Sequence, residues 1–308
     1  MYESVLPDAV DITASSEPWS VTAIVTAYNG APFLCAAIES ILSQTRPVNE
    51  IIVIDDGSQD NSAEIARSFP GVRVLTQPNM GVVRARNRGI AEATSMWIAF
   101  LDQDDVWLPE KMDRQIARLQ EDPRAGVCMS GFQILRNGEL GKIQLAPKNF
   151  ARSLEDRCYG VPSGMVARKS EIVAVGGFYV DATKAEDWDL MVRLKQAGTV
   201  FVTCREPLML YRRHSMNVTN EPAFTYTGDL QVFDRLILPR IAAPLRPFAR
   251  WRRVSMLEGD RSILERENRQ RHLSRMLKSI VMWPLGNWRR YKIALHMMLT
   301  KTGLIGES

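Results

Sequence analysis

Between residues 21 and 135 the chain alternates short apolar runs with segments whose apolar residues recur at helical spacing, a rhythm that leaves few folds open. Runs such as Ile51-Ile52-Val53-Ile54 and Trp97-Ile98-Ala99-Phe100-Leu101 lack the polar alternation of a half-exposed strand, so both faces of each must be covered. Helices on the two faces of a mostly parallel sheet provide that cover, which makes the fold class α/β. The pattern predicts strands over residues 21–27, 50–54, 72–76, 96–101 and 126–135, and helices over 32–44, 62–69, 81–93 and 109–121. In the last of these Pro109 takes the first helical position, where its fixed φ costs no needed donor, and Met112, Ile116 and Leu119 share one face.

After residue 136 the alternation gives way to a stretch rich in Gly, Asn, Pro and Lys, read as a loop reaching about residue 157. A strand over 162–168, a short helix to 175, a helix over 186–197 and a strand over 200–211 follow. From residue 221 the pattern is helical, basic and interrupted by Pro239, Pro244, Pro247 and Pro284, which sets a boundary near residue 220.

Charge follows that boundary. The formal net charge of +4 hides 23 Lys and Arg against 27 Asp and Glu in residues 1–220, and 16 against 8 in residues 221–308. An acidic body fits poorly with nucleic-acid binding, whereas the basic tail suits an anionic surface. Cys35, Cys128, Cys158 and Cys204 match no metal-binding spacing and three of them fall inside apolar elements, which points to buried thiols in a reducing compartment. The first 20 residues carry Glu3, Asp8, Asp11 and Glu17, unlike a secretory signal, and no apolar run approaches the roughly 18 residues that cross a bilayer. The expected location is cytoplasmic, with peripheral attachment to the inner face of the plasma membrane as an option.

In an open α/β sheet, ligands bind beyond the carboxyl ends of the strands. Those places read Thr26-Ala27-Tyr28-Asn29, Asp55-Asp56-Gly57-Ser58, Gln77-Pro78-Asn79 and Asp102-Gln103-Asp104-Asp105. Three carboxylates in four residues after a buried strand call for neutralisation, and a divalent cation carrying a phosphate ligand supplies it. Each run also has a plainer reading. Asp55 to Ser58 suits a turn, Asp105 suits a cap for the segment before Pro109, and Glu186-Asp187 suits a first helical turn that meets the helix dipole.

Taken in order, V-T-A-I-V-T-A-Y-N-G (21–30), I-I-V-I-D-D-G-S (51–58), N-M-G-V-V-R-A-R-N-R-G-I (79–90), F-L-D-Q-D-D (100–105), G-G-F (176–178), E-D-W-D-L (186–190) and Y-R-R-H (211–214) resemble the inverting family 2 glycosyltransferases. The resemblance covers residues 20–215 and implies the GT-A nucleotide-sugar fold, with a nucleotide-sugar half over 20–135, an acceptor half over 136–220 and a helical C-terminal region over 221–308. It implies that Asp56 reads the base in a pocket lined by Thr26, Ala27, Tyr28 and Asn29, that Arg86 contacts the nucleotide, and that Asp102, beside Gln103, meets the ribose. Asp104 and His214 would hold Mn²⁺ or Mg²⁺, and Asp187 would take the proton of the acceptor hydroxyl. Arg212 or Arg213 could hold the diphosphate instead, and Arg84 and Arg88 are expected to face solvent. The partners implied are a nucleotide-sugar donor, UDP-linked, and a saccharide or lipid-linked saccharide acceptor. In the tail, Arg246, Arg250, Arg252 and Arg253 alternate with Leu245, Phe248 and Trp251, and Trp283, Trp288, Arg289, Arg290, Tyr291 and Lys292 repeat the mix, as suits a helix lying on an anionic membrane surface.

Two other functions stay open on sequence. A sugar-phosphate nucleotidyltransferase also uses metal-binding acids on a doubly wound sheet, but needs a Gly-rich, basic phosphate loop where this chain has Tyr28-Asn29-Gly30-Ala31-Pro32. The other is a non-catalytic nucleotide-sugar or polyanion-binding protein.

Overall fold

The computed structural model describes residues 17–182, 185–214, 217, 222–264, 269–282, 291 and 294–295. The acidic start at 1–16, Pro284, and the second aromatic and basic cluster apart from Tyr291 lie outside the described residues. The chain divides into two compact units, Met1–His214 and Ser215–Ser308.

Among the described residues of the first unit, nine strands form one sheet in the order β3-β2-β1-β4-β8-β6-β9-β5, with β7 beside β6. Strands β1 (Val21–Ala27), β2 (Glu50–Asp55), β3 (Val72–Thr76) and β4 (Trp97–Asp102) are parallel neighbours. Strand β8 (Met165–Arg168) joins antiparallel to β4 and β6 (Ala125–Arg136), while β9 (Val200–Arg213) runs parallel to β6 and antiparallel to β5 (Val106–Trp107). The first four strands thus form a continuous parallel block, and the later ones a mixed extension.

All seven residues of β1 are buried, as an unalternating apolar run requires. Val21, Ala23, Val25 and Ala27 pack in one core with Leu34, Ile38 and Ile41 of α1 (Ala31–Leu42) and Met112, Ile116 and Leu119 of α4 (Lys111–Gln120). On the opposite face α3 (Val82–Glu92) lies so close that a Cβ on Gly89 would stand 2.5 Å from Ile24 Cγ2. Each fully buried Ile or Leu contributes roughly 1.5–3 kcal/mol by leaving water, so these layers hold the strand ends rigid.

Four sequence expectations need correction. Pro109 is not the first residue of α4: its carbonyl accepts from Thr45 N at 2.9 Å, and Glu110 flanks the helix instead. Residues 136–157 are not all loop, because Asn137 and Gly138, with φ of 52° and 83°, turn β6 into β7 (Glu139–Gln144), and Asn149 caps the short α5 (Phe150–Ser153). The strand expected at 162 begins at Met165, after a single tight turn over Pro162–Gly164. Cys35, although in an apolar helix, is exposed; Cys128 and Cys204 are buried with their Sγ atoms 3.8 Å apart and unlinked.

Helices α6 (Lys169–Ala174) and α7 (Glu186–Gln196) complete the first unit. In the second, α8 (Pro222–Val232) is followed by α9 (Arg246–Leu264) and α10 (Arg269–Met282). The last two run antiparallel, with Ser255 and Ser279 each donating its hydroxyl to the other's carbonyl and Ser262 Oγ contacting His272 Nδ1 at 2.6 Å. Glu258 receives Arg275 at 3.0 Å and Lys278 at 2.7 Å across the same pair.

Candidate active site

Register brings the polar strand ends together. Ala27 is opposite Asp55, Thr26 is opposite Asp102 and Asp55 is opposite Thr76, so the carboxyl ends of four parallel strands form one edge. Thr26 and Ala27 are buried there, and Ala27 contributes its carbonyl to Asp56 N at 2.8 Å, while Tyr28 is 43% exposed. Asn29, at φ 49°, takes Gln59 N on its side-chain oxygen and donates its own N–H to Ser58 Oγ. Gln103 clasps the Tyr28 backbone twice, accepting from its N at 2.8 Å and donating to its carbonyl at 3.2 Å. Gly30 is needed beneath that clasp, since a Cβ would fall 2.1 Å from Gln103 Oε1.

Asp56 is 4% exposed, and its carboxylate accepts from Gln77 Nε2 at 2.7 Å, Met80 N at 2.9 Å and Gly81 N at 2.8 Å. Its first task is therefore to shape the 77–81 loop that feeds α3. Gly57, at φ 77°, makes room for that loop, as a Cβ would stand 2.8 Å from Asn79 N.

The acidic cluster splits by direction. Asp105 does not cap α4: it is buried, accepting from Ser163 Oγ at 2.7 Å and from Arg212 N at 3.0 Å, which ties β4 to β9. Burial, then Asp104 and Asp102, push its carboxyl well above the ordinary range. Asp104 turns the other way, with Oδ2 2.9 Å from His214 Nε2, and the imidazole stacks on Phe33 at 4.6 Å between centroids. Burial and Asp102 raise the Asp104 carboxyl, and the His214 contact offsets only part of this. Arg212 donates from Nε to the Asp104 carbonyl at 2.8 Å, which fixes the loop.

Among the described residues no three His, Cys, Asp or Glu side chains gather around one point suited to a metal ion. Asp104 and His214 do make a two-donor seat of a hard oxygen and a ring nitrogen. That set suits a hard divalent ion such as Mg²⁺ or Mn²⁺.

Asp102 Oδ1 meets Arg86 Nη2 at 2.6 Å, and the other arm of Arg86 reaches Glu186 Oε1 at 2.9 Å. Burial works against the Arg86 charge, yet the carboxylates of Asp102 and Glu186 raise its pKa above the ordinary value. Asp187 follows Glu186 in the first turn of α7 and accepts from Trp188 N at 2.7 Å, while Trp188, Leu190 and Met191 are core. Arg84 is exposed as expected, but Arg88 is half-buried and donates to the Thr76 carbonyl at 2.8 Å.

The partners of Gln77 and Ser163, which hold Asp56 and Asp105, and the Glu186 link to Arg86 leave no local signal in the sequence. A buried Ser in Val161-Pro162-Ser163-Gly164 gives no periodic signal. The Arg86 and Glu186 pair lies 100 residues apart in the chain.

Residues 22–165 match the family described as Glycosyl transferase family 2. Over those residues the chain is similar to that family. The chain is 31% identical over 215 residues to an uncharacterized glycosyltransferase of Nostoc sp., covering 64% of this chain and 66% of that protein. It is 27% identical to the amylovoran biosynthesis glycosyltransferase AmsB of Erwinia amylovora, over 62% of this chain and 69% of AmsB. To the Escherichia coli UDP-Glc:alpha-D-GlcNAc-diphosphoundecaprenol beta-1,3-glucosyltransferase WfgD it is 30% identical, over 43% of this chain and 53% of WfgD. The chain thus spans slightly under two thirds of the Nostoc protein and about half of WfgD. Among solved structures it is similar to S. aureus TarS in complex with UDP, with a TM-score of 0.57 and 14% identity over 85% of this chain and 91% of TarS. The mannosyltransferase PcManGT of Pyrobaculum calidifontis, in complex with GDP-Man and Mn²⁺, superposes with a TM-score of 0.62 and 17% identity over 92% of this chain and 79% of that one. The fold, a curled sheet flanked by helices, is thus similar to that of GT-A glycosyltransferase structures.

Proposed function

We propose that the chain transfers one sugar from a nucleotide-diphosphate sugar, UDP-linked, to a hydroxyl of a saccharide or lipid-linked saccharide in surface polysaccharide synthesis, with inversion at the anomeric carbon. The observation that carries the reading is Arg86, which joins the acidic end of β4 to the first turn of α7 and so brings donor-side and acceptor-side carboxylates to one edge of the sheet. The names of AmsB and WfgD support polysaccharide synthesis and a lipid-linked acceptor, and the ligands of the TarS and PcManGT structures support a nucleotide donor and a cation.

Thr26, Ala27, Tyr28, Asn29 and Asp56 form the base side of the donor pocket, with Asp102 and Gln103 at the ribose. Asp104 and His214 would hold Mn²⁺ or Mg²⁺, which when bound would offset charge growing on the leaving diphosphate. Asp187 accepts the proton of the attacking hydroxyl at a carboxylate oxygen, and Glu186 beside it is held by Arg86. Inversion follows because attack comes from the face opposite the diphosphate. Asp187→Asn keeps the shape and removes the base, so turnover should fall by about 10²–10⁴-fold while nucleotide affinity is kept. Unchanged turnover would refute the assignment, and the anomeric configuration of the product, read by NMR, checks inversion.

The acceptor reading extends to an anionic membrane surface as partner, with the protein on the cytoplasmic side. Leu245, Phe248 and Trp251 are exposed around the start of α9, amid Arg246, Arg250 and Arg252, the mix that suits an interfacial helix. No described helix is long and apolar enough to cross a membrane.

A further inference from the structure

Arg86 is more deeply placed than a ligand-contacting arginine needs to be. Its side chain is 5% exposed, and its two terminal nitrogens are committed to Asp102 at 2.6 Å and Glu186 at 2.9 Å. The planar fork of a guanidinium fixes the separation of its two nitrogens, so it also fixes where two carboxylates from different elements stand relative to each other. The guanidinium lies 5.3 Å from the Phe178 ring centroid, and Phe178 meets Phe100 of β4 edge-on at 5.4 Å.

The next residue locks the same assembly through the backbone. Asn87 donates to the Phe178 carbonyl and accepts from Phe178 N, both at 2.8 Å. The turn before Phe178 places Gly176 and Gly177 at φ 79° and 70°, and its carbonyls are held from α7 itself: Arg193 donates to Val175 O at 2.6 Å and to Gly177 O at 2.7 Å. Two adjacent residues of α3 thus grip α7 at separate points, one directly at Glu186 and one through the 176–178 turn.

We infer that Arg86 is a positioning residue: it sets the first turn of α7, and with it Asp187, against the donor end of β4, and it acts on turnover rather than on donor affinity. The inference rests on the function proposed above and departs from the nucleotide contact that family resemblance implies for Arg86. A base displaced by about an ångström loses on the order of 10²-fold in rate, because the attacking hydroxyl and its acceptor oxygen no longer meet in the reactive geometry.

The test measures kcat, donor KM, nucleotide dissociation constant and melting temperature for the wild type and for Arg86→Lys, Arg86→Gln and Arg86→Gln/Glu186→Gln. The double variant removes charge from both sides of the link and remains informative if Arg86→Gln leaves the half-buried carboxylates of Asp102 and Glu186 too poorly paired to fold. The expected result is a kcat lowered roughly 10–100-fold in each folded variant, with donor KM and nucleotide affinity within about threefold of wild type. Arg86→Lys, which keeps the charge and loses the fork, should still lose turnover; a merely structural charge would be rescued by it. A loss of nucleotide affinity matching the loss of kcat/KM, or full turnover in Arg86→Lys, overturns the positioning role and leaves the transferase reading standing. A wild type that neither transfers nor hydrolyses any nucleotide sugar overturns both.

Discussion

Lys111 is the residue whose chemistry differs most from its type. It is fully buried in the first turn of α4, its Nζ lies 4.2 Å from the Trp107 ring centroid, and among the described residues that nitrogen has no hydrogen-bond partner. Desolvation pushes its pKa down to about 7, against partial support from Cys128 and Cys204. The unfolded chain keeps this proton up to about pH 10.4, so between roughly pH 7 and 10.4 unfolding takes up a proton and stability rises with pH. Below pH 7 both states are protonated and the folded state carries the full cost of a buried ammonium. Lys111→Met should therefore stabilise by about 1–3 kcal/mol at pH 6, with a gain that shrinks as pH rises toward 10 in urea titrations. Nothing in the sequence marks Lys111 as buried: on a helix wheel it is an ordinary first-turn lysine. Asp105 is hidden in the same way: it suits a cap for the segment before Pro109, and only the fold brings Ser163 and Arg212 onto it from distant segments.

Among the elements, α7 most depends on charge it cannot show to water. Asp189 is fully buried and accepts Arg193 Nε at 2.7 Å, one turn along, while the other nitrogens of Arg193 bind the 175–177 turn. Asp189→Ala leaves a buried guanidinium with its carbonyl partners but no counter-charge, so chemical denaturation should show a loss of about 3–5 kcal/mol. The element was legible in outline: Glu186-Asp187-Trp188-Asp189 announces an acidic helix start, and Trp188, Leu190 and Met191 announce a core face. Other elements left signals that went unused. Asn137-Gly138 is a strong hairpin dipeptide, because both residues tolerate positive φ, yet the surrounding Gly and Lys suggested a loop. Pro109 misled in the opposite sense, as its carbonyl serves Thr45 rather than the helix.

At the scale of the molecule, binding should appear as stability. If Asp104 and His214 seat a cation together with a diphosphate, UDP or a UDP-sugar with Mn²⁺ should raise the melting temperature more than either alone, and a chelator should remove the difference. Ligand at 100 times its dissociation constant adds about 2.7 kcal/mol, enough to be read in a thermal scan. The basic second unit makes a separate prediction: the full chain should float with anionic liposomes, remain behind with neutral ones and be released by salt. Loss of flotation in a Phe248→Ser/Trp251→Ser variant would assign binding to the start of α9; unchanged flotation would exclude that surface.

The order of elements, the parallel block of strands and the acidic strand ends were determined by the sequence itself, because apolar periodicity and turn chemistry act over a few residues and need no partner. Only the tertiary structure decided which carboxylate faces which neighbour. Asp56 holds a loop, Asp105 turns inward, Asp104 meets His214, and Arg86 spans Asp102 and Glu186. Those assignments depend on contacts between residues up to 110 positions apart, where register and packing, rather than local propensity, set the geometry and with it the charge each group can hold.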